Sequence, residues 1–329
     1  MMKYNDDVTI MVCGKLNPTS IENIDNYLKT GKVVVSCWKD DDPDLLKSVK
    51  EKEGVKVIAA DPIHEDVEKL HQEHPEFREF CRSFYYQARS IKNGLEYTET
   101  NHTIKTRSDE KFSDLSAMIR KYRESRGKYI SSNIFWKKCD HGHFHIGDHL
   151  FMAPTIPLKN SYHNINWCLG NQISPLQFLS AKQEVTYNSA AWLGAPGVNP
   201  EFVHGCVEIV TAIHFLYAIG ITINQILDRK ESRKILLENF DVVNVNELGD
   251  YVVVNQGQGN RWENNFPIID QEIINSKMEE IFFYSNSETR MSAIKKSIEN
   301  SLEFHNNSVE RFNMVLMDIE ECQNEKQNN

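Results

Sequence analysis

Several familiar catalytic signatures are missing from this chain. It has no G-x-G-x-x-G, no Walker A loop, no G-x-S-x-G and no H-E-x-x-H. Dinucleotide binding by a glycine fingerprint, P-loop phosphate transfer, elbow-type serine hydrolysis and zincin chemistry therefore lack their usual residues. No C-x-x-C pair occurs, and the seven cysteines are odd in number and widely scattered. That pattern reads as reduced thiols in a cytosol-like compartment, so cytoplasmic residence is the expectation. An excess of positive charge is also missing. Lys and Arg total 37 against 47 Asp and Glu, a formal net charge of -10. General nucleic-acid binding needs a basic footprint and is disfavoured, although a local basic pocket for phosphate is not. The opening Met1-Met2-Lys3-Tyr4-Asn5-Asp6-Asp7 turns polar at once, which predicts no secretory leader. The one long apolar stretch, Cys206 to Leu227, carries Glu208, His214, Asn224 and Gln225. It reads as a buried helix near Phe202 to Leu227, with no transmembrane segment.

What is present is an alternation of strand and helix signals over the first half. Val8–Cys13, Lys32–Trp38, Lys56–Ala60, His102–Thr106 and Lys128–Ser132 read as five strands. Thr19-Ser20-Ile21-Glu22 after Pro18 has capping-box spacing and opens a helix. A longer helix is predicted over Pro75–Tyr97, with Phe84, Ala88, Ile91 and Leu95 facing the core and a neighbouring stripe of Ser83, Gln87, Ser90 and Gly94. The small and polar stripe admits another backbone, or a ligand, at close range. Strands alternating with helices give an α/β fold with a mainly parallel sheet. After about residue 155 turn-rich pieces follow, then strand-like Asp250–Asn255 and the glycine-containing loop Gln256–Asn260. From Glu288 the chain reads as continuous helix. Its seam of Leu302, His305, Val309, Phe312, Leu316 and Ile319 suits packing on its own domain, or a coiled-coil contact that would make a homo-oligomer. The parts expected are 1–155, 156–287 and 288–329.

The chemistry is expected at Thr103-Ile-Lys-Thr-Arg-Ser-Asp-Glu110, where a strand ends in two cations and a carboxylate. Strand ends of open α/β sheets are where ligands bind. Lys105 and Arg107 alternate onto one strand face and are predicted to point together at a phosphate. Asp109 is a candidate metal or ribose contact, for a divalent cation such as Mn or Mg. Glu110, one step on, is expected to point away into solvent. Asp61, after the third strand, either bonds a base or ribose or merely ends the strand, and Trp38 either stacks on a base or fills the core. Asp148, ahead of Leu150-Phe151-Met152-Ala153, is placed at the lip of a pocket. His141, His143 and His145 alternate and, with Asp148 or His149, have the composition of a zinc site, though without a supporting ligand motif.

Three segments, in order, resemble the WavE-type lipopolysaccharide-synthesis proteins. They are the early strand, the strand ending Ser36-Cys37-Trp38, and the helix with Gln87, Ser90, Gly94 and Leu95 in a Q-x-x-S-x-x-x-G-L pattern. Lys105-Thr-Arg107-Ser-Asp109 then matches that family's K-x-R-[ST]-D segment, and Asp148-His149-Leu150 its D-H-[LI] segment. The resemblance covers roughly residues 8–155, a domain-length stretch. It implies a Rossmann-like glycosyltransferase of the GT-A type, acting on a nucleotide-sugar donor and a glycan or lipid-linked acceptor in surface polysaccharide synthesis. By the same resemblance Gln87 and Ser90 line the nucleotide-sugar pocket, Lys105, Arg107 and Asp109 sit at the diphosphate, and Asp148 is the general base. One departure stands out. Where many such enzymes carry D-x-D, the first acidic position here is Arg107. A catalytically inactive binding module of the same fold is the alternative this departure allows.

Overall fold

The computed structural model describes residues 5–73, 80–134, 146–171, 175, 207–221 and 229–252. The predicted helix after Glu288, the loop 256–260 and the histidine run 141–145 lie outside the described residues. Among those described, nine strands and eight α-helices follow the order β1 (Asn5–Cys13), α1 (Pro18–Thr30), β2 (Gly31–Trp38), α2 (Pro43–Lys50), β3 (Val55–Ala60), α3 (His64–Glu73), α4 (Phe80–Glu96), β4 (His102–Arg107), β5 (Lys111–Phe112), α5 (Ser116–Glu124), β6 (Tyr129–Ser132), β7 (Phe151–Pro154), α6 (Thr155–Gly170), α7 (Val207–Ala218), α8 (Arg229–Asn239), β8 (Phe240–Val243) and β9 (Tyr251–Val252).

Seven strands make one sheet in the order β3-β2-β1-β4-β7-β6-β8. All neighbours are parallel except β7, which runs antiparallel to both β4 and β6. The α/β architecture with a mainly parallel central sheet is thus what the chain forms. The sheet does not stop at residue 155: β8 pairs with β6 and extends it. The pair β5–β9 forms a small second sheet.

Side-chain alternation on the strands separates two cores. Met11, Phe151, Tyr129 and Phe240 face a layer of α4, α6 and α7, packing with Phe84, Ala88, Ile91, Tyr162, Ile165 and Phe215. Ile10, Val12, Ile104, Ile130 and Met152 face α1 and α5, packing with Ile24, Tyr27, Met118 and Tyr122. The four apolar residues predicted for the core face of α4 are all buried there.

Helix α1 starts two residues earlier than the Thr19 capping-box spacing predicts. The cap of α1 is Asn17, whose side chain accepts from the Thr19 amide at 3.0 Å with Pro18 in the first helical turn. Asparagine and proline together are a stronger start than the Thr19 box, because proline presets φ and needs no amide partner. α2 starts in the same way, with Asp42 ahead of Pro43 accepting from the Asp44 and Leu45 amides. The apolar helix predicted to reach Leu227 ends at Ala218. Gly220 takes φ +82 and the Ile221 amide reaches back to the Leu216 carbonyl at 2.9 Å, a left-handed stop. No helix of the described residues is long and apolar enough to cross a membrane.

Candidate functional site

The strand order reverses between β1 and β4, since β2 and β3 lie to one side and β4 to the other. In open parallel sheets the crevice outside the carboxyl ends at such a reversal is the ligand site. At that edge lie Gly14 and Lys15 after β1, Arg107 to Glu110 at the end of β4, and Asp148 and His149, which lead into β7 at the same edge because that strand is reversed.

The edge is rigidly built. Ser108 donates its amide to the Cys13 carbonyl at 2.9 Å and its hydroxyl to the Lys15 carbonyl at 2.5 Å, continuing the β1–β4 pairing past the strand ends. Asp41 accepts from the Leu16 amide at 3.1 Å and the Trp38 amide at 3.0 Å, tying the β1–α1 loop to the end of β2. Burial pushes the Asp41 carboxyl upward. Gly14 has φ +117, and a Cβ there would stand 3.0 Å from the Ser108 hydroxyl, so the turn into the site needs glycine.

Arg107 and Asp109 form a two-bond fork. Nε donates to Oδ1 and Nη2 to Oδ2, both at 2.9 Å. Asp109 is 2% exposed. Burial alone would raise its pKa, but the Arg107 fork outweighs it and holds the carboxyl below its ordinary value. The guanidinium keeps three further N–H groups beyond the fork, and its side chain is 23% exposed.

Lys105 differs from expectation. It does not rise to a phosphate beside Arg107. It is fully buried, and its Nζ donates to the main-chain carbonyls of Asp148 at 2.5 Å and His149 at 3.3 Å. Burial lowers its pKa while Asp148 opposes the shift. Lys105 thus fixes the backbone that presents Asp148. Gln87, from α4, donates to Asp148 Oδ2 at 2.5 Å. Burial raises the Asp148 carboxyl, yet His149, Lys105, Gln87 and Arg107 together bring it below its ordinary value, so it stays ionised.

Glu110 also departs from expectation. Its amide turns back to the Arg107 carbonyl at 3.3 Å, so strand alternation no longer governs it. The side chain swings inward, is fully buried, and meets His149 Nδ1 through Oε1. His149 stood out in the sequence beside Asp148, in the Asp148-His149-Leu150 segment and as zinc-site composition, but not as the partner of Glu110, which was expected in solvent. The linear hint for Glu110 is that it directly follows Asp109.

Ser90 and Asp61 have other employment. The Ser90 hydroxyl donates to the Ser36 carbonyl at 3.0 Å and accepts from the Gly14 amide at 3.0 Å. With Gly94, whose Cβ would come within 2.5 Å of Met11 Sδ, it seats α4 directly on the sheet. The small-residue stripe serves a backbone here. Asp61 sits at the end of the edge strand β3, exposed and paired with Lys39 at 2.8 Å, two strands away from β1. Trp38 is buried and meets Tyr86 edge-on, with ring centroids 5.4 Å apart. Tyr86 bonds His64, which pairs with Asp40 at 3.0 Å.

A divalent cation does not fit Asp109 as the residues stand. Both oxygens of its carboxylate accept from Arg107, and no three ligating side chains converge among the described residues. Arg107 already supplies positive charge to this carboxylate.

No family model matches the chain, and no curated protein sequence matches it. Solved structures give partial likenesses. S. aureus TarS 1-349 is 12% identical, over 46% of this chain and 48% of that one, with a TM-score of 0.29. HddC from Yersinia pseudotuberculosis is 11% identical, over 46% and 78%, with a TM-score of 0.29. Mouse xyloside xylosyltransferase 1, in its apo form, is 11% identical, over 71% and 84%, with a TM-score of 0.33. The chain spans about half the length of the TarS structure it matches.

Proposed function

We propose that this chain is a glycosyltransferase, moving a sugar from a nucleotide-sugar donor to a glycan or lipid-linked acceptor in surface polysaccharide synthesis. The observation that carries the reading is the convergence, at the switch point of the sheet, of a preformed cation and an ionised carboxylate: Arg107 on its Asp109 fork, and Asp148 gripped by Gln87. The ordered resemblance of residues 8–155 to WavE-type proteins supports the same chemistry and a GT-A-type arrangement.

In this reading the three remaining N–H groups of Arg107 meet the donor's diphosphate. As the acceptor oxygen attacks the anomeric carbon, the bond to the diphosphate breaks and its electron pair leaves with the phosphate oxygen. A fixed guanidinium neutralises that growing charge without reorganising. Asp148 accepts a hydrogen bond from the acceptor hydroxyl and takes its proton as the new glycosidic bond makes that oxygen acidic. A carboxylate of lowered basicity is suited to such a late transfer and poorly suited to abstracting a proton beforehand. No step passes through a metal.

The lowered basicity of Asp148 also favours a second reading, a nucleotide- or glycan-binding module without turnover. One experiment separates the two. Purified protein is screened for thermal stabilisation by UDP-, GDP- and TDP-sugars, with and without Mn, and every stabilising donor is assayed for nucleotide release. Stabilisation with release establishes the enzyme. Stabilisation without release, across acceptor mixtures, leaves the binding module, and no stabilisation by any donor ends the enzyme and the nucleotide-binding module alike.

A further inference from the structure

We propose that Glu110 is a positioning residue, which through His149 orients the Asp148 carboxylate, itself buried rather than at a pocket lip, at the switch-point edge of the sheet. This rests on the glycosyl-transfer reading of the site and adds to it two residues that reading does not use. Glu110 is fully buried on a turn directly after Asp109. Its Oε1 meets His149 Nδ1 and lies 3.8 Å from Arg107 Nε, while Oε2 has no hydrogen-bond partner among the described residues. A buried carboxylate with an unsatisfied oxygen is destabilising. A chain that needed only packing here would do better with an apolar side chain.

The geometry across the imidazole shows what Glu110 secures. With Nδ1 held by Glu110, Nε2 is turned to Asp148 Oδ1 at 4.0 Å. The other oxygen, Oδ2, receives Gln87 from the helix side. Asp148 Oδ2 is therefore hydrogen-bonded from α4, while Oδ1 faces the His149 ring at 4.0 Å, within ion-pair reach but beyond a hydrogen bond. Flipping the imidazole would break the buried bond to Glu110, so that bond sets which ring nitrogen faces Asp148. The arrangement is the same as a carboxylate orienting a histidine that in turn serves a reacting group.

Two readouts test the pair. In protein labelled with 15N-histidine, long-range proton–nitrogen spectra report which ring nitrogen of His149 bears hydrogen, and need no donor. Wild type is expected to show a protonated Nδ1 in a fixed hydrogen bond, and Glu110→Ala to lose that signature. In turnover assays Glu110→Ala is expected to lower kcat by at least about tenfold with donor KM within about twofold, the pattern of an interaction made in the transition state. Glu110→Gln keeps an acceptor oxygen and is expected to recover kcat to within about fivefold of wild type. An unchanged His149 signature in Glu110→Ala, or a kcat within about twofold of wild type, overturns the proposal. Should Glu110→Ala not fold, His149→Gln takes its place and is judged by the same kcat and KM criteria. Wild-type protein that turns over no donor would remove the glycosyl-transfer reading alone, because the imidazole spectrum still decides whether Glu110 sets the ring.

Discussion

Gln87 and Asp148 stand 61 positions apart in the chain and meet at 2.5 Å, the amide of one donating to the carboxylate of the other. The contact joins the middle of α4 to the chain entering β7, and it exists because β7 is inserted backwards beside β4. Its neighbours Lys105, Arg107, Asp109, Glu110 and His149 complete a buried polar cluster in which every carboxylate has a cationic or hydrogen-bonding partner.

Arg107→Ala leaves the Asp109 carboxylate buried and unpaired. It is expected to cost about 3–5 kcal/mol of stability, the range for breaking one half of a buried ion pair. Urea unfolding of both proteins measures it. Arg107→Lys retains charge but not the two-bond fork, so nucleoside-diphosphate affinity should fall about tenfold by titration calorimetry.

Both oxygens of Asp109 are occupied by Arg107. Exhaustive treatment with EDTA is therefore expected to leave donor binding within about twofold of the untreated protein. A loss of more than about tenfold, restored by Mn, would show that the fork opens to admit a metal.

Acid should weaken the fold in two stages. His214 is fully buried, one ring nitrogen has no hydrogen-bond partner among the described residues, and burial lowers its pKa to about 4. Between its unfolded value near 6.5 and that folded value, only the unfolded chain takes up the proton, so stability falls as pH drops. The full effect is on the order of 3 kcal/mol, and His214→Gln should flatten this part of the profile. Below about pH 4, Asp109 and Asp148 contribute the second stage. Their folded pKa values are depressed, so their stabilisation is complete above the unfolded carboxylate range and is lost as pH falls through the folded values. Chemical denaturation at a series of pH values gives both slopes.

Two glycines, Gly94 within α4 and Gly147 in the segment leading into β7, should resist alanine because neighbouring atoms occupy the place of a Cβ. At Gly94 a Cβ would lie 2.5 Å from Met11 Sδ and 3.2 Å from the Ser36 Cβ. Gly94→Ala should thus destabilise by about 1–3 kcal/mol, where an exposed helical glycine would gain about 1 from alanine. At Gly147 the added Cβ would meet the Ser132 and Ile134 carbonyl oxygens at 2.6 and 2.7 Å. Backbone atoms cannot step aside, so Gly147→Ala should shift Asp148 and cut turnover more than it cuts donor affinity. Paired kinetic and calorimetric measurements would show this.

The strands β1 to β4 and the core face of α4 were legible because their apolar residues recur at the spacing of the element that buries them. Arg107, Asp109, Gln87 and Asp148 were legible as candidates because strand ends and polar interruptions stand out locally. The antiparallel β7, the closing strand β8 and the inward turn of Glu110 were not. Each depends on a partner far along the chain: Phe151 pairs with Lys105, Phe240 with Tyr129, and Glu110 with His149.

By itself, then, the amino-acid order determined an alternating α/β layer and the edge at which chemistry collects, because periodicity and turn chemistry act over a few residues. Only the tertiary structure decided the work of each polar group. It buried Lys105 as a brace, spent Ser90 on seating a helix, locked Asp109 to Arg107 and drew Glu110 to His149. Burial and charge pairing are set by which segments pack together, and no local spacing encodes that.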